Sequence, residues 1–388
     1  MAASNLSVML LLIFLGLIAA SYLGLIIAFI VGFNRVPEFQ SKALAGKNTF
    51  SIVIPYRNEA ENLPRLFRSL TSLNYPRDKF EIILVNDASK DASRSIAEKF
   101  KLDFTELNIH LLENSRKTIS PKKDAIQAAI DISKFDYIVT TDADCIVPAK
   151  WLQLFNESIQ EKASKMIAAP VGFVQEVGDK KPYFQNFEEM DFMSLQASTI
   201  GSFGIGKAFM CNAANMCYEK DTFLKESGFD DYGKIASGDD VFLLQKLRKK
   251  GYKVDFIKSA SAVVLTGYQK SLRSLLNQRV RWAAKTSSYS SVFAKFTGLI
   301  VFLMNFSLIV FTGLALLNLV PYQVLMLIFL LKFNADFVLI YKSAKFMNRD
   351  RLMRHYLWSS IVYPIFTVYV AILSLFRGYE WKGRRFKK

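Results

Sequence analysis

Two aspartates separated by one residue, Asp142 and Asp144, follow directly on a run of apolar and β-branched residues. Carboxylates in this spacing at the end of a strand can share a hard divalent cation, because Mg²⁺ and Mn²⁺ bind to a few carboxylates together with water and phosphate oxygens. The alternative is a polar turn that only ends the strand. The pair is therefore a candidate site for Mg²⁺ or Mn²⁺, with Asp142 and Asp144 as ligands.

A second acidic pair, Asp239 and Asp240, stands before an amphipathic run from Val241 to Leu247. A carboxylate held near another carboxylate has a raised proton affinity and can take a proton from an acceptor hydroxyl as a general base. The same pair can also form the acidic first turn of a helix, where it complements the helix dipole. Asp240 and Asp239 are the candidate catalytic residues.

A third motif, Gln278–Trp282, carries side chains that suit a sugar diphosphate. The guanidinium of Arg281 can bind diphosphate oxygens, the face of Trp282 suits a sugar ring, and Gln278 offers both a donor and an acceptor. The alternative is an amphipathic helix whose arginines extend to the bilayer surface. Lys122 either faces a phosphate or only caps the helix that follows.

The order of these motifs, all placed before a series of apolar segments, is that of an enzyme handling a metal-bound diphosphate beside a bilayer. The chain has 388 residues, 51% of them hydrophobic, which suggests one soluble domain of about 200–250 residues plus membrane segments. Much of the net charge of +16 flanks apolar segments. Membrane lipids are therefore favoured over nucleic acid as a partner, and no RNA- or DNA-binding motif is present.

The three cysteines, Cys145, Cys211 and Cys217, are odd in number and lack the spacing of a small disulfide-bonded domain. This favours a reducing compartment. The two histidines, His110 and His355, are far apart in the sequence. A zinc site and a catalytic triad are therefore not expected.

The first 34 residues contain no charged side chain, and the apolar run Val8–Phe33 is long enough to cross a hydrocarbon core of about 30 Å. A signal peptide has a basic start and a shorter apolar core, and neither is present. Arg35, Lys42 and Lys47 follow the run. We therefore expect a transmembrane helix at residues 1–34. The basic residues after it place the following domain in the cytoplasm by the positive-inside rule. The expected location is a bacterial inner membrane.

Residues 48–270 read as alternating strands and helices. The predicted strands are Phe50–Pro55, Glu81–Val85, His110–Leu112 and Tyr137–Thr141. Their spacing of roughly 30 residues suits βαβ units and a mostly parallel sheet. An amphipathic helix is predicted around Leu63–Leu70, with a start near Asn58 and Glu61. In such α/β folds ligands bind at the carboxyl ends of the strands, so the loops at these ends should converge on one site.

The region 271–295 is basic and aromatic and is predicted to lie at the membrane interface. Membrane segments follow over residues 296–376, and Lys332 and Asp336 within them can pair along one helix face. The last segment, Tyr356–Phe376, contains Pro364 and precedes the basic tail at 377–388. A full crossing would carry this tail outside, so we expect a re-entrant or interfacial hairpin and a cytoplasmic tail.

Several stretches match motifs of one enzyme family. They are Ser51–Glu59 (V-I-P-x-x-N-E), Val85–Asp91 (V-D-D-G-S-x-D), Lys122–Gln127 (K-x-x-A-L-N), Asp142–Asp144 (D-x-D), Cys211–Asn215 (C-N-G-A-N), Gly238–Asp240 (T-E-D or G-E-D) and Gln278–Trp282 (Q-x-x-R-W). From about Thr49 to Lys285 and into the flanking spans, the chain resembles the membrane-bound family 2 glycosyltransferases with a GT-A fold, which include cellulose-synthase-like, hyaluronan-synthase-like and ceramide-glucosyltransferase-like enzymes. Trp381–Arg385 resembles the basic tail of some members.

The resemblance implies an α/β GT-A domain and a role for each matching residue. The nucleotide-sugar side would comprise Pro55, Tyr56, Glu59, Asp87, Lys122, Asp142 and Arg281, and the acceptor side Asn215, Gln278 and Trp282. Asp144 would be the main metal ligand and Asp240 the base. The chain departs from the family at Asn86 (acidic in the family), at Ala88 and Ala213 (glycines) and at Asp239 (glutamate).

The expectation is an inverting, metal-dependent glycosyltransferase that moves a sugar from a nucleotide-diphosphate sugar to a lipid or glycan acceptor at the membrane. Too few spans are present to suggest a polymer-conducting channel. A processive polysaccharide synthase, a catalytically silent nucleotide-binding membrane subunit and a membrane nucleotidyltransferase remain as alternatives.

Overall fold

The computed structural model describes residues 2–175, 181–230, 235 and 237–386, so that Met1 and the last two residues of the predicted tail lie outside the described residues. Its helices are α1 (Ala2–Arg35), α2 (Leu63–Thr71), α3 (Ser93–Asp103), α4 (Pro121–Ile132), α5 (Trp151–Lys162), α6 (Tyr183–Gly204), α7 (Lys220–Lys225), α8 (Asp239–Lys249), α9 (Leu272–Ala284), α10 (Val292–Leu316), α11 (Tyr322–Phe346) and α12 (Tyr356–Phe376). Its strands are β1 (Phe50–Tyr56), β2 (Phe80–Asn86), β3 (Ile109–Glu113), β4 (Tyr137–Thr140), β5 (Met166–Ala168), β6 (Val171–Phe173), β7 (Met216–Glu219), β8 (Val254–Phe256), β9 (Val264–Thr266), β10 (Tyr379–Trp381) and β11 (Arg384–Phe386).

The central sheet has the order β3-β2-β1-β4-β7-β5-β8. Strands β1 to β4 pair in parallel, β7 is antiparallel to both of its neighbours, and β5 pairs in parallel with β8. Every residue of β2 and nearly every residue of β1 is buried, because helices cover both faces of the sheet. The predicted α/β fold with a mostly parallel sheet is confirmed.

Helix α2 buries Leu63, Leu66, Phe67 and Leu70 on one face, as the sequence spacing predicts. Its start differs from the prediction, since the helix begins at Leu63 rather than near Asn58. Asn58 has a φ of 52°, a left-handed conformation that does not continue into a helix.

Four helices among the described residues are long and apolar enough to cross a membrane. They are Met9–Arg35, Val292–Leu316, Tyr322–Phe346 and Asp350–Phe376. The first is fixed to the catalytic domain by close backbone contact with α6, because an added Cβ at Gly32 would lie 2.0 Å from the carbonyl oxygen of Gly201. Small residues permit such an approach between helices.

The hairpin predicted for the last segment is wrong, because α12 is one uninterrupted helix that contains Pro364. The chain segments before and after α12 nevertheless contact the α/β domain. Before it, Arg349 donates to the carbonyl of Phe173, and after it Lys382 pairs with Glu59. The described part of the tail therefore packs against the α/β domain.

One face of α12 is apolar and exposed. It consists of Leu357, Trp358, Ile361, Ile365, Ile372 and Phe376, among others. The opposite face, with Ser359, Tyr363 and Thr367, lines the interior cavity described below. Such a division between faces is that of a helix with lipid on one side and protein on the other.

Candidate active site

One cavity of about 980 Å³ lies at the carboxyl edge of the sheet and extends among the helices. The loops that follow β1, β2 and β4 open onto this edge, because the three strands are parallel neighbours. The cavity wall brings together the predicted residues Pro55, Tyr56, Glu59, Asp87, Lys122, Asp142, Asp144, Asp239, Asp240, Gln278, Arg281 and Trp282.

The loops after β1 and β2 present two carboxylates to the C-terminal hairpin. The ammonium of Lys382 pairs with Glu59, and the guanidinium of Arg384 pairs with Asp87. Asn114 also donates from Nδ2 to Asp87 Oδ1 at 2.9 Å. The basic tail therefore neutralises Glu59 and Asp87, two of the three acidic residues predicted for the nucleotide-sugar side.

The loop after β2 keeps a left-handed residue where the family has glycine. Ala88 has a φ of 53°, which costs an L-residue roughly 1–2 kcal/mol. The side-chain oxygen of Asn86 accepts from the Ser89 N–H at 3.0 Å, and Arg57 Nη1 donates to the carbonyls of Asp87 and Ala88 at 2.6 and 2.7 Å. These bonds hold the loop in shape without the glycine.

Asp144 is a carboxyl group in a setting that disfavours its charge. Burial, together with the negative charges of Asp142 and Glu59, raises the pKa of Asp144 to about 6. A divalent cation would relieve this repulsion, and Mg²⁺ usually takes only one or two protein carboxylates beside phosphate oxygens. The pair of Asp142 and Asp144 therefore fits a hard cation.

No group of three His, Cys, Asp or Glu side chains in the described part of the chain could hold a metal alone. The other ligands would be water and the phosphates of a substrate.

Lys122 links the two acidic motifs. Its Nζ lies 2.7 Å from Asp142 Oδ1 and 3.3 Å from Asp239 Oδ2. Burial alone would lower the pKa of Lys122, but the charges of Asp142 and Asp239 outweigh burial and raise it. The lysine is therefore a fixed positive charge between the carboxylates.

Asp240 sits in the first turn of α8 and faces Lys285, whose Nζ lies 3.4 Å from Asp240 Oδ1. Asp240 Oδ1 also accepts from the Val241 N–H at 2.7 Å. Burial opposes ionisation of Asp240, but Lys285 and Lys122 outweigh burial and lower its pKa. The sequence-based expectation of a raised proton affinity is therefore wrong, because the nearest partners are cations rather than Asp239.

Helix α9 carries the Q-x-x-R-W motif and is held by a residue that sequence analysis missed. Arg279 Nε donates to the buried carboxylate of Asp191 on α6 at 2.6 Å. Its Nη1 donates to Gln278 Oε1, and its guanidinium lies 4.3 Å from the ring centre of Trp282. Asp191 and Arg279 therefore fix the orientation of both Gln278 and Trp282.

Asn215 does not line the cavity, which corrects its assignment to the acceptor side. The side chain is fully buried. Its Oδ1 accepts from Trp151 Nε1 at 2.8 Å, and its Nδ2 donates to the carbonyls of Pro170 and Ala262 at 2.7 and 2.8 Å. These bonds satisfy the amide within the protein and join separate loops of the domain.

Sequence reasoning assigned no role at this site to Asp191, Lys285, Lys382 or Arg384. Lys285 follows the Q-x-x-R-W motif by three residues, so its proximity to the motif could have indicated a role. The tail that carries Lys382 and Arg384 is basic, so its charge was a signal for pairing with acidic residues. Asp191 has no signal in the sequence, because its role depends on the packing of α6 against α9.

Comparison with known proteins identifies related sequences. Residues 51–220 match the profile described as "Glycosyl transferase family 2", and residues 137–379 match the one described as "Glycosyl transferase family group 2". The second match covers more than half of the chain and includes the cavity residues from Asp142 to Leu375.

Two curated relatives are glycosyltransferase AglE of Haloferax volcanii and poly-β-1,6-N-acetyl-D-glucosamine synthase of Staphylococcus aureus. The first is 23% identical over 53% of this chain and 63% of its own length. The second is 25% identical over 64% of this chain and 57% of its own length. The chain thus spans about three fifths of each relative.

A solved structure with a similar fold is a mannosyltransferase from Pyrobaculum calidifontis in complex with GDP-mannose and Mn²⁺. Its TM-score is 0.55 at 14% identity, and the match covers 94% of this chain and 99% of that protein. At this identity the similarity concerns the fold, and it confirms the expected GT-A class.

Proposed function

Because the chain belongs to glycosyl transferase family group 2, we propose that it transfers a sugar from a nucleotide-diphosphate sugar to a hydroxyl group of a lipid or glycan acceptor at the membrane. The observation that carries the proposal is the single cavity, which joins the D-x-D carboxylates, the acidic pair and the Q-x-x-R-W motif.

We assign the donor to the sheet edge. Glu59 and Asp87 would face the nucleoside, and Arg281 would bind the diphosphate through its guanidinium. Lys122 would hold Asp142 in place beside the sugar. A divalent cation bound by Asp144 and Asp142 would supply neutralisation of the diphosphate charge.

Asp240 is the proposed general base. The acceptor hydroxyl would attack the anomeric carbon while its proton passes to the Asp240 carboxylate and the bond from the anomeric carbon to the diphosphate breaks. A single displacement of this kind inverts the configuration at the anomeric carbon. The low pKa of Asp240 keeps the carboxylate ionised, and its contact with Lys285 stabilises that state.

The acceptor would approach from the membrane side. The cavity continues from the catalytic carboxylates to walls formed by α1, α10, α11 and α12, and α12 exposes an apolar face. The catalytic domain is proposed to face the cytoplasm, since basic residues flank α1 and fill the loop before α12 on the domain's side.

A processive polysaccharide synthase is the second candidate, favoured by the name of the Staphylococcus aureus relative. The product distinguishes the two functions. Addition of one or a few sugars supports the first proposal, whereas long polymer made by the purified chain supports the second.

The test is release of nucleoside diphosphate by the detergent-purified full chain, screened over nucleotide sugars with Mn²⁺ or Mg²⁺. We expect metal-dependent release from one donor and its loss in Asp144→Ala. If no donor is turned over and the Asp144→Ala protein keeps its cellular role, the chain is a silent subunit and the proposal is wrong.

A further inference from the structure

Four polar side chains meet on the part of the cavity wall that the apolar helices form. They are Tyr22 on α1, Lys332 and Asp336 on α11, and Tyr363 on α12. Lys332 Nζ lies 2.5 Å from Asp336 Oδ2, and Tyr22 donates to Asp336 Oδ1 at 2.8 Å. Lys332 Nζ also lies 5.3 Å from the ring centres of Tyr22 and Tyr363. We call these four residues the bundle cluster.

The bundle cluster is more than a link between helices. Ionisable side chains are rare in membrane-spanning segments, and they mark functional sites there by default. The ion pair lies within α11, at positions i and i+4, and only the Tyr22 hydrogen bond joins it to α1. A buried pair with no other task could be replaced by apolar side chains without loss. Here the pair is buried, with Lys332 4% and Asp336 13% exposed, yet it borders open space in the cavity.

The chemistry of the cluster favours a neutral, hydroxyl-rich ligand. Asp336 balances the charge of Lys332, so the cluster offers no net attraction to an anion. The ammonium and the phenols donate hydrogen bonds, the carboxylate and the phenols accept them, and the tyrosine rings offer flat faces. Ser359 and Thr367 of α12 add further hydroxyl groups to the wall. This mixture of polar atoms and aromatic faces suits a saccharide.

We propose that the bundle cluster binds the saccharide headgroup of the acceptor, so that the acceptor is a glycolipid rather than a lipid with a simple hydroxyl. This inference rests on the proposed transferase function, because the cavity connects the cluster to Asp240. The headgroup would extend from the bundle cluster towards the catalytic carboxylates, and the lipid chains would remain beside α10, α11 and α12.

The test measures binding, which does not depend on turnover. Full-length protein in phosphatidylcholine nanodiscs is photolabelled with an alkyl glucoside that carries a diazirine in its chain. A probe with the same chain and a phosphocholine headgroup serves as the comparison. The variant Lys332→Gln/Asp336→Asn removes both charges together and leaves no unpaired ion. Tyr363→Phe, which removes one hydroxyl group, is a milder second variant.

A matched control is Asn334→Leu, which removes a polar group from the exposed side of the same helix. We expect the double variant to lose about tenfold in glucoside labelling and Tyr363→Phe to lose a few-fold, as expected for lost hydrogen bonds. The control and the phosphocholine probe should show no change. Equal labelling of the double variant and the wild type would overturn the inference.

Two further arms separate the possible outcomes. Competition by octyl glucoside but not by methyl glucoside supports a lipid-borne saccharide, whereas equal competition by methyl glucoside overturns it in favour of a free glycan end. Nucleoside diphosphate release is measured on the same samples. If nucleoside diphosphate is released and the double variant is labelled by the glucoside probe as strongly as the wild type, the inference is wrong but the transferase function stands. If the glucoside probe labels the cluster selectively and no donor yields nucleoside diphosphate, the transferase function is wrong.

Discussion

At the scale of single residues, the site is organised by cations placed between carboxylates. Lys122 separates Asp142 from Asp239, and Lys285 contacts Asp240. Lys285 and Lys122 lower the pKa of Asp240 in a buried setting where an isolated charge would be costly. The carboxylate of Asp240, the proposed base, is therefore charged before a donor arrives.

Asp240→Asn removes the proposed proton acceptor while keeping the shape of the side chain. We expect the rate of sugar transfer to fall about 10²–10⁴-fold, the usual contribution of a general base. Transfer of radiolabelled sugar by the purified protein measures the effect. Asp131→Asn, on the exposed side of α4, is the matched control and should retain full activity. Full activity of Asp240→Asn would remove this residue from the mechanism.

Glu188 predicts how stability depends on pH. Burial is the main cause that raises the pKa of Glu188 from 4.5 to about 7. The folded protein therefore holds this proton more tightly than the unfolded chain, and stability falls as pH rises from 4.5 to about 7. The loss is at most about 3 kcal/mol.

Glu188→Gln keeps the oxygen that accepts the Gln269 N–H and removes the ionisation. We expect the variant to unfold at a higher temperature than the wild type at about pH 8 and at nearly the same temperature at about pH 4. Thermal unfolding in detergent measures both. Glu98→Gln, an exposed control, should show no such pH-dependent difference. An equal gain for Glu188→Gln at both pH values would contradict the prediction.

At the scale of helices and strands, the sequence predicted what depends on local periodicity. The buried stripe of α2, the strands β1 to β4 and the convergence of their carboxyl ends follow from residue spacing and from the geometry of parallel sheets. Asn215 was misassigned because a motif match does not reveal which way a side chain points. The role of Asp191 could not be found, since it arises only when α6 packs beside α9.

The last segment shows a different limit of the sequence. Pro364 suggested a break, but proline is tolerated inside a helix when other contacts compensate for the missing hydrogen bond. The expected position of the tail on the side of the catalytic domain stays a prediction, and the contacts of Arg349 and Lys382, on either side of α12, support it.

The contact between α1 and α6 predicts an effect of a single methyl group. An added Cβ at Gly204 would lie 1.9 Å from the carbonyl oxygen of Gly32, so Gly204→Ala forces the helices apart. We expect a loss of about 1–3 kcal/mol, the usual cost of overpacking, measured as a lower unfolding temperature. Gly16→Ala is the control, since nothing lies within 4 Å of that Cβ. Equal stability of both variants would show that the close contact does not form.

At the scale of the whole molecule, the tail closes the chain back onto its own active site. Lys382 and Arg384 reach Glu59 and Asp87, which lie more than 290 positions earlier in the sequence. We therefore expect the C-terminus and the catalytic domain to lie on the same side of the membrane.

A cysteine appended at the C-terminus and a cysteine at the exposed position Glu61 test this arrangement in sealed vesicles of known orientation. Both should react with an impermeant maleimide in the same vesicles, and the three native cysteines, which are buried, should react little. Labelling of the two positions in vesicles of opposite orientation would mean that the last helix crosses the membrane.

The central claim is that this cavity transfers a sugar to an acceptor at the membrane. The most direct measurement follows a radiolabelled nucleotide sugar given to the full chain in nanodiscs made with native lipid. We expect metal-dependent release of nucleoside diphosphate, an equal amount of label in the lipid or glycan fraction as short products, and loss of both in Asp240→Asn. Long polymer, or equal transfer by Asp240→Asn, would contradict it.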